Sequence, residues 1–135
     1  MNVMVSGHFD PFTFAHLDYL KKAAKLGDYV VCLISSDKQL ILKKGWFNEP
    51  ASERAEILHL VLKGLRIPHE VVQNVWDKDT TLVAEALKAL KPDIFCRGTD
   101  KREDDTPDAE KAVCDKLGVK IVKVEGKIVH GSDFS

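Results

Sequence analysis

The unbroken apolar run Tyr29-Val30-Val31-Cys32-Leu33-Ile34 most constrains what this chain can fold into. A strand with one wet face alternates apolar and polar residues. A continuous run has both faces covered, as in a parallel sheet flanked by helices. Strand patterns recur at 2–6, 70–75, 93–96 and 120–124. Helical patterns separate them. Residues 15–26 place Leu17, Leu20 and Ala24 on one face and Lys21, Lys22 and Lys25 toward water, with Gly27 as a stop signal. Residues 52–63, with Ser52 as N-cap, carry a buried stripe of Ile57, Leu58, Val61 and Leu62, continued by Leu65. Residues 80–90 turn Leu82, Val83, Ala86, Leu87 and Leu90 inward, with Asp79 or Thr80 as the cap. That helix ends at Lys91-Pro92, because proline disfavours helix in the residue before it. Residues 107–117 form a last helix stopped by Gly118. A short helix or turn is expected over 35–42, loops over 43–50 and 101–108, and an irregular tail from 125. Strands and helices therefore alternate throughout. The pattern predicts one α/β domain over 1–135, a Rossmann-like doubly wound fold on a five-stranded parallel sheet with right-handed crossovers.

At 135 residues the chain can bury one real core, and two would be cramped. Its 20 basic and 21 acidic residues nearly cancel. This argues against a general binder of nucleic acid or of an anionic membrane. No stretch is long enough to span a bilayer, and no export signal is visible. A cytoplasmic location is expected. Cys32, Cys96 and Cys114 form no CxxC or Cys/His pattern, so buried, reduced thiols are expected rather than a zinc site.

In such sheets ligands bind beyond the carboxyl ends of the strands, where strand order reverses. The loops over 7–15, 35–48 and 97–105 should open toward that crevice. The first carries the chemistry: Gly7-His8-Phe9-Asp10-Pro11-Phe12-Thr13-Phe14-Ala15-His16. A glycine turn off a buried strand, then Thr13 and His16 three apart at a helix start, creates a place where backbone N–H groups and the helix dipole favour an anion. A nucleotide phosphate fits it. Asp10 reads as a turn or cap residue. Lys43 and Lys44 sit in a bordering loop, where either could neutralise phosphate charge. Arg54 offers a guanidinium fork to phosphate or an ion pair on the helix surface. Arg97 leaves a strand end toward the crevice.

The segment from Gly7 to His16 resembles the signature of the nucleotidylyltransferase superfamily, GxFDPxHxGH, with Thr13 in its threonine form. Further matching pieces follow in the family's order: Leu26-Gly27-Asp28-Tyr29-Val30-Val31, Ser35-Ser36-Asp37, Lys43-Lys44-Gly45, Ser52-Glu53-Arg54, and Lys91-Pro92-Asp93-Ile94 through Arg97-Gly98-Thr99-Asp100. These pieces are most similar to the cytidylyltransferase-like enzymes acting on glycerol 3-phosphate and heptose 1-phosphate. Ala15 stands where the signature usually has glycine. The family's closing serine/threonine-rich motif is matched only by Ser132 in His130-Gly131-Ser132-Asp133, after which the chain ends.

The resemblance implies transfer of a nucleoside monophosphate, AMP favoured over CMP, from ATP or CTP to a small phosphorylated sugar or polyol, releasing pyrophosphate. It gives catalytic parts to His16, Thr13 and Lys44. Nucleotide contacts fall to Gly7, His8, Phe9, Thr13, His16, Arg97, Gly98, Thr99, Asp100 and Ser132, and the acceptor phosphate to Arg54. Magnesium is expected with the triphosphate, with no dedicated protein metal cage, and a homodimer is implied. Ala15 and the short tail motivate an alternative, a nucleotide-binding module without turnover. A sheet protein with no nucleotide is a third reading, opposed by the Thr13/His16 signature.

Overall fold

A computed structural model of the chain describes residues 1–99 and 106–125. The elements run β1 (Asn2–Gly7), α1 (Phe14–Ala24), β2 (Tyr29–Ile34), α2 (Asp37–Lys44), α3 (Ala51–Gly64), β3 (His69–Gln73), α4 (Ala84–Leu90), β4 (Ile94–Thr99), α5 (Asp108–Leu117) and β5 (Lys120–Glu125). The five strands pair in parallel in the order β3-β2-β1-β4-β5, the single Rossmann-like α/β domain the alternation predicted.

The central strands β2, β1 and β4 bury both faces, and the alternation of side chains divides the core in two. Val3, Val5, Val30, Cys32, Ile34, Ile94 and Cys96 face Tyr19, Leu20 and Ala23 of α1 and Leu58 and Leu62 of α3. Met4, Val31, Leu33 and Phe95 face Ala86 and Leu87 of α4 and Val113 and Cys114 of α5. All three cysteines are buried and free; desolvation pushes the Cys32 and Cys96 thiols up to about 12 and Cys114 to about 11.

Three of the boundaries that depart from the sequence pattern have a visible local or tertiary reason. α2 continues to Lys44 and ends on Gly45 at φ 85°, a left-handed position that favours glycine. α3 begins at Ala51 after Pro50, so Ser52 lies inside the helix and caps nothing. In place of a serine cap, Asp37 accepts the Ala51 N–H at 2.9 Å. α4 starts at Ala84 instead of Thr80. Gln39 Nε2 donates to the carbonyls of Thr80 and Leu82, and Thr80 Oγ1 accepts from Leu82 N, which keeps that stretch out of the helix. No helix among the described residues is long and apolar enough to cross a membrane.

Candidate active site

The crevice opens where two neighbouring strands part. β1 and β4 pair from Val3–Ile94 to Val5–Cys96 and no further, although both strands continue. Tyr19 of α1 occupies the fork. Its hydroxyl donates to Cys96 O at 2.5 Å and accepts from Ser6 N at 3.4 Å, serving backbone groups the ladder no longer pairs. Burial holds its phenol well above the usual tyrosine range. The same ring lies under Gly98, where a Cβ would stand 3.2 Å from it. A side chain there would press on the ring by a few tenths of an ångström.

Beyond the fork lies a cleft of about 190 Å³, lined by the ends of β1 (Ser6, Gly7, His8), β2 (Leu33, Ser35) and β4 (Phe95, Arg97). Lys43, Asn74, the 81–83 segment, Pro107 and Glu110 complete its wall. Of the lysine pair, Lys43 borders the cleft. Lys44 instead donates to Asp10 O at 3.2 Å, lies 3.8 Å from the Asp10 carboxylate, and rests over the Trp46 ring. The lysine placed for a ligand in this cleft is thus the neighbour of the one expected from the sequence.

α1 begins with a reciprocal cap. Thr13 is its N-cap, and its Oγ1 accepts from His16 N at 3.5 Å while His16 Nδ1 accepts from Thr13 N at 3.0 Å. Nδ1 therefore carries a lone pair, and the neutral ring carries its proton on Nε2. Nε2 has no hydrogen-bond partner among the described residues. Desolvation lowers the His16 pKa to about 4, so the ring is a neutral donor at pH 7. Phe9, at φ 51° and fully buried, packs its ring edge-on against His16 and beneath Gly7. Its side chain fixes His16 from inside the core, which leaves only its backbone for a nucleotide.

His8 shares a 2.6 Å hydrogen bond between Nδ1 and Ser35 Oγ. Its pKa also falls to about 4, first through burial and then through the charges of Lys43, Lys44 and Arg54. Three cations converge on this end of the crevice, a field suited to phosphate.

Two charged residues work as struts. Asp10, fully buried, accepts the N–H groups of Asn48 at 2.7 Å and Glu49 at 2.9 Å, tying the first loop to the α2–α3 loop. Arg54, 1% exposed, donates to Glu49 O, His8 O and Ser35 O and to the Asp37 carboxylate, all within 3.0 Å. It lies at the carboxyl edge, as expected, yet beneath the crevice floor. These bonds build a brace between loops, and in this structure the Arg54 fork presents no open face to an acceptor phosphate. Arg97 borders the cleft and donates to Thr106 Oγ1 at 2.9 Å. Gly98 and Thr99 end β4, while Asp100 and Ser132 lie outside the described residues.

Sequence reasoning missed Tyr19, Asp77 and Glu110. Asp77, 2% exposed, accepts from Glu85 N, Ala86 N and Asn74 Nδ2. Glu110, 4% exposed, accepts from Val83 N at 2.9 Å. Both cap α4 from outside it. No local spacing announces them; the one available signal was an acidic residue within an otherwise buried helix face.

The cytidylyltransferase-like family model matches residues 4–130. Among curated relatives, the bifunctional protein HldE of Campylobacter fetus is 36% identical over 98 residues, 73% of this chain and 20% of that protein. The chain thus spans about a fifth of that relative's length. An FAD synthase of Picrophilus torridus is 32% identical over 141 residues, covering 99% of this chain and 93% of the relative. The crystal structure of a lipopolysaccharide core biosynthesis protein from Thermoplasma volcanium superposes with a TM-score of 0.69 at 24% identity, covering 96% of this chain and 98% of that one, a likeness of fold.

Proposed function

The chain belongs to the cytidylyltransferase-like nucleotidylyltransferase family, and on that premise we propose that it transfers AMP from ATP to a phosphate oxygen of a small phosphorylated sugar or polyol. In the step, an acceptor phosphate oxygen bonds to the α-phosphorus as the bond from that phosphorus to the bridging oxygen breaks. Pyrophosphate leaves. No protein nucleophile is needed, and the enzyme's work is positioning and charge stabilisation. The observation that carries this reading is the α1 cap. It fixes the His16 ring by Nδ1 and leaves Nε2–H as a neutral donor beside the first loop. Growing charge on the α-phosphate and bridging oxygen is what such a donor stabilises. Thr13 holds the ring in register and offers its hydroxyl to phosphate. Lys43, with the field of Lys44 behind it, neutralises phosphate charge. Gly7, His8, Gly98, Thr99, Asp100 and Ser132 remain proposed nucleotide contacts. The homodimer implied by resemblance also remains a proposal.

The acidic groups at the crevice do not fit a magnesium cage. Asp10 and Glu110 hold backbone N–H groups, and no three His, Cys, Asp or Glu side chains gather among the described residues. Magnesium would arrive on the triphosphate, with phosphate and water ligands.

A second acceptor, flavin mononucleotide, is favoured by the nearly end-to-end match to an FAD synthase. The test is pyrophosphate release with each of four nucleoside triphosphates and magnesium against glycerol 3-phosphate, ribose 5-phosphate, hexose 1-phosphates and flavin mononucleotide. Release with ATP and a sugar or polyol phosphate is expected. No release from any pair, with ATP still raising the melting temperature, would identify a binding module instead.

A further inference from the structure

The cleft has a second pole that the transfer reaction does not use. Glu110 projects from the first turn of α5 into its wall. One carboxyl oxygen, Oε2, accepts the Val83 N–H at 2.9 Å; the other has no hydrogen-bond partner among the described residues. The side chain is only 4% exposed, yet no buried polar atom among the described residues lacks a partner. The unpartnered oxygen is therefore open to the cleft. A desolvated carboxyl oxygen facing a ligand cavity is costly unless something donates to it. Burial raises the Glu110 pKa, with the Val83 N–H and the Arg97 charge opposing.

Lys43 and His8 line the same cleft, and His8 is held neutral first by burial and then by the charges of Lys43, Lys44 and Arg54. An acceptor that spans the cleft meets a cation that suits phosphate at Lys43 and a lone acceptor oxygen at Glu110. We propose that Glu110 is the specificity-determining residue of the acceptor site, reading a hydroxyl of a polyhydroxylated phosphate ester whose phosphate lies at the Lys43 end. This rests on the nucleotidylyltransferase reading and adds what selects the acceptor. The backbone bond to Val83 fixes the carboxyl plane, so the free oxygen is pre-aimed. A hydroxyl is the donor that suits it: an ammonium would meet the Arg97 charge that also acts on Glu110, and an alkyl group would leave the oxygen unpaired.

The experiment uses the full chain with magnesium and a non-hydrolysable ATP analogue, and measures binding of glycerol 3-phosphate, propyl phosphate, ribose 5-phosphate and inorganic phosphate by calorimetry. Propyl phosphate keeps the carbon chain and the phosphate of glycerol 3-phosphate and lacks both hydroxyls. Wild type should bind glycerol 3-phosphate or ribose 5-phosphate about tenfold or more tighter than propyl phosphate. Glu110→Gln can keep the Val83 bond through its amide oxygen while turning a donor toward the cleft. It should weaken that discrimination, because a neutral amide N–H is a poorer partner for a hydroxyl than a carboxylate oxygen, and leave affinity for the ATP analogue and inorganic phosphate unchanged. Equal wild-type affinity for the hydroxylated and propyl esters overturns the proposal without any variant, whether or not Glu110→Gln folds. So does a Glu110→Gln protein that discriminates normally, or one whose only defect is weak binding of the ATP analogue, which would place a nucleotide amine on Glu110. Failure of wild type to bind the ATP analogue at all would overturn the nucleotidylyltransferase reading itself.

Discussion

Of the helices that begin at the carboxyl edge of the sheet, α1 and α4 are capped in opposite ways. α1 is capped from within four residues, Thr13 and His16 each satisfying the other's backbone. α4 has no side-chain cap of its own; Asp77, before it, and Glu110, 27 residues after Val83, supply its acceptors. In the first case the cap also builds the chemistry, because using Nδ1 decides where His16 carries its proton. In the second, the cap joins α4 to α5 and places a carboxyl in the cleft wall. A local cap can hold a reactive group in a fixed state at little cost to the surrounding fold. A distant cap couples the site to the packing of the whole sheet face.

The largest effect should come from Arg54, which braces the first loop against the α2–α3 loop. Arg54→Ala strands three backbone carbonyls and takes a donor from the Asp37 carboxylate, which is 38% exposed and still accepts from Ala51 N. A loss of about 2–4 kcal/mol in urea unfolding is expected, mainly from the unpaired carbonyls. Arg54→Lys should recover little of it, since one ammonium cannot reach groups on three segments. Normal stability with a raised acceptor KM in Arg54→Lys would return this residue to the role of phosphate clamp.

His16 separates capping from catalysis. His16→Ala should lower kcat on the order of 10²-fold and cost about 1 kcal/mol through the lost cap. Glutamine at the third helical position completes a capping box, so His16→Gln should regain most of that stability without regaining the rate. Equal recovery of both would mean that the ring matters only as a cap.

On the other helix, Asp77→Asn keeps one acceptor oxygen where two are used, and should cost about 1–2 kcal/mol. Hydrogen exchange should rise at Glu85 and Ala86 while the α1 amides stay protected. Uniform exchange across both helices would show that the two caps are not independent.

What the sequence revealed follows the same division. The strands were legible because burial on both faces writes itself into consecutive residues, as at Tyr29–Ile34. The α1 start was legible because its partners are three residues apart. The α4 start was not, because Gln39 takes the carbonyls of Thr80 and Leu82 from 41 and 43 residues away. Arg54 looked like a surface cation on a helix that carries Glu53 and Glu56; only the return of His8 and Ser35 to its side buries it. The choice between Lys43 and Lys44 depended on where α2 ends. Ending at Gly45, the helix turns Lys43 to the cleft and Lys44 to Asp10.

The last effect is a pH dependence that belongs to the first loop. The unfolded chain protonates His8 and His16 near 6.5, whereas burial holds both near 4 in the fold. The native state stays neutral while the unfolded state takes up protons, so acid favours unfolding. The stability tied to these groups is fully present above about pH 6.5, declines as pH falls from there, and is gone below about pH 4. Glu110 works in the opposite sense. Its raised pKa lets the native state take up a proton before the unfolded state does, which offsets part of the loss at the acid end. Wild-type melting temperature should therefore fall between pH 7 and pH 5. His16→Gln keeps the cap and has no imidazole to titrate, so its melting temperature should fall less over the same interval. Asp77→Asn, on the other helix, should fall in parallel with wild type. Parallel curves for wild type and His16→Gln would show that His16 titrates freely in the fold. The neutral Nε2 donor at the start of α1 would then be lost along with the contrast between the two caps.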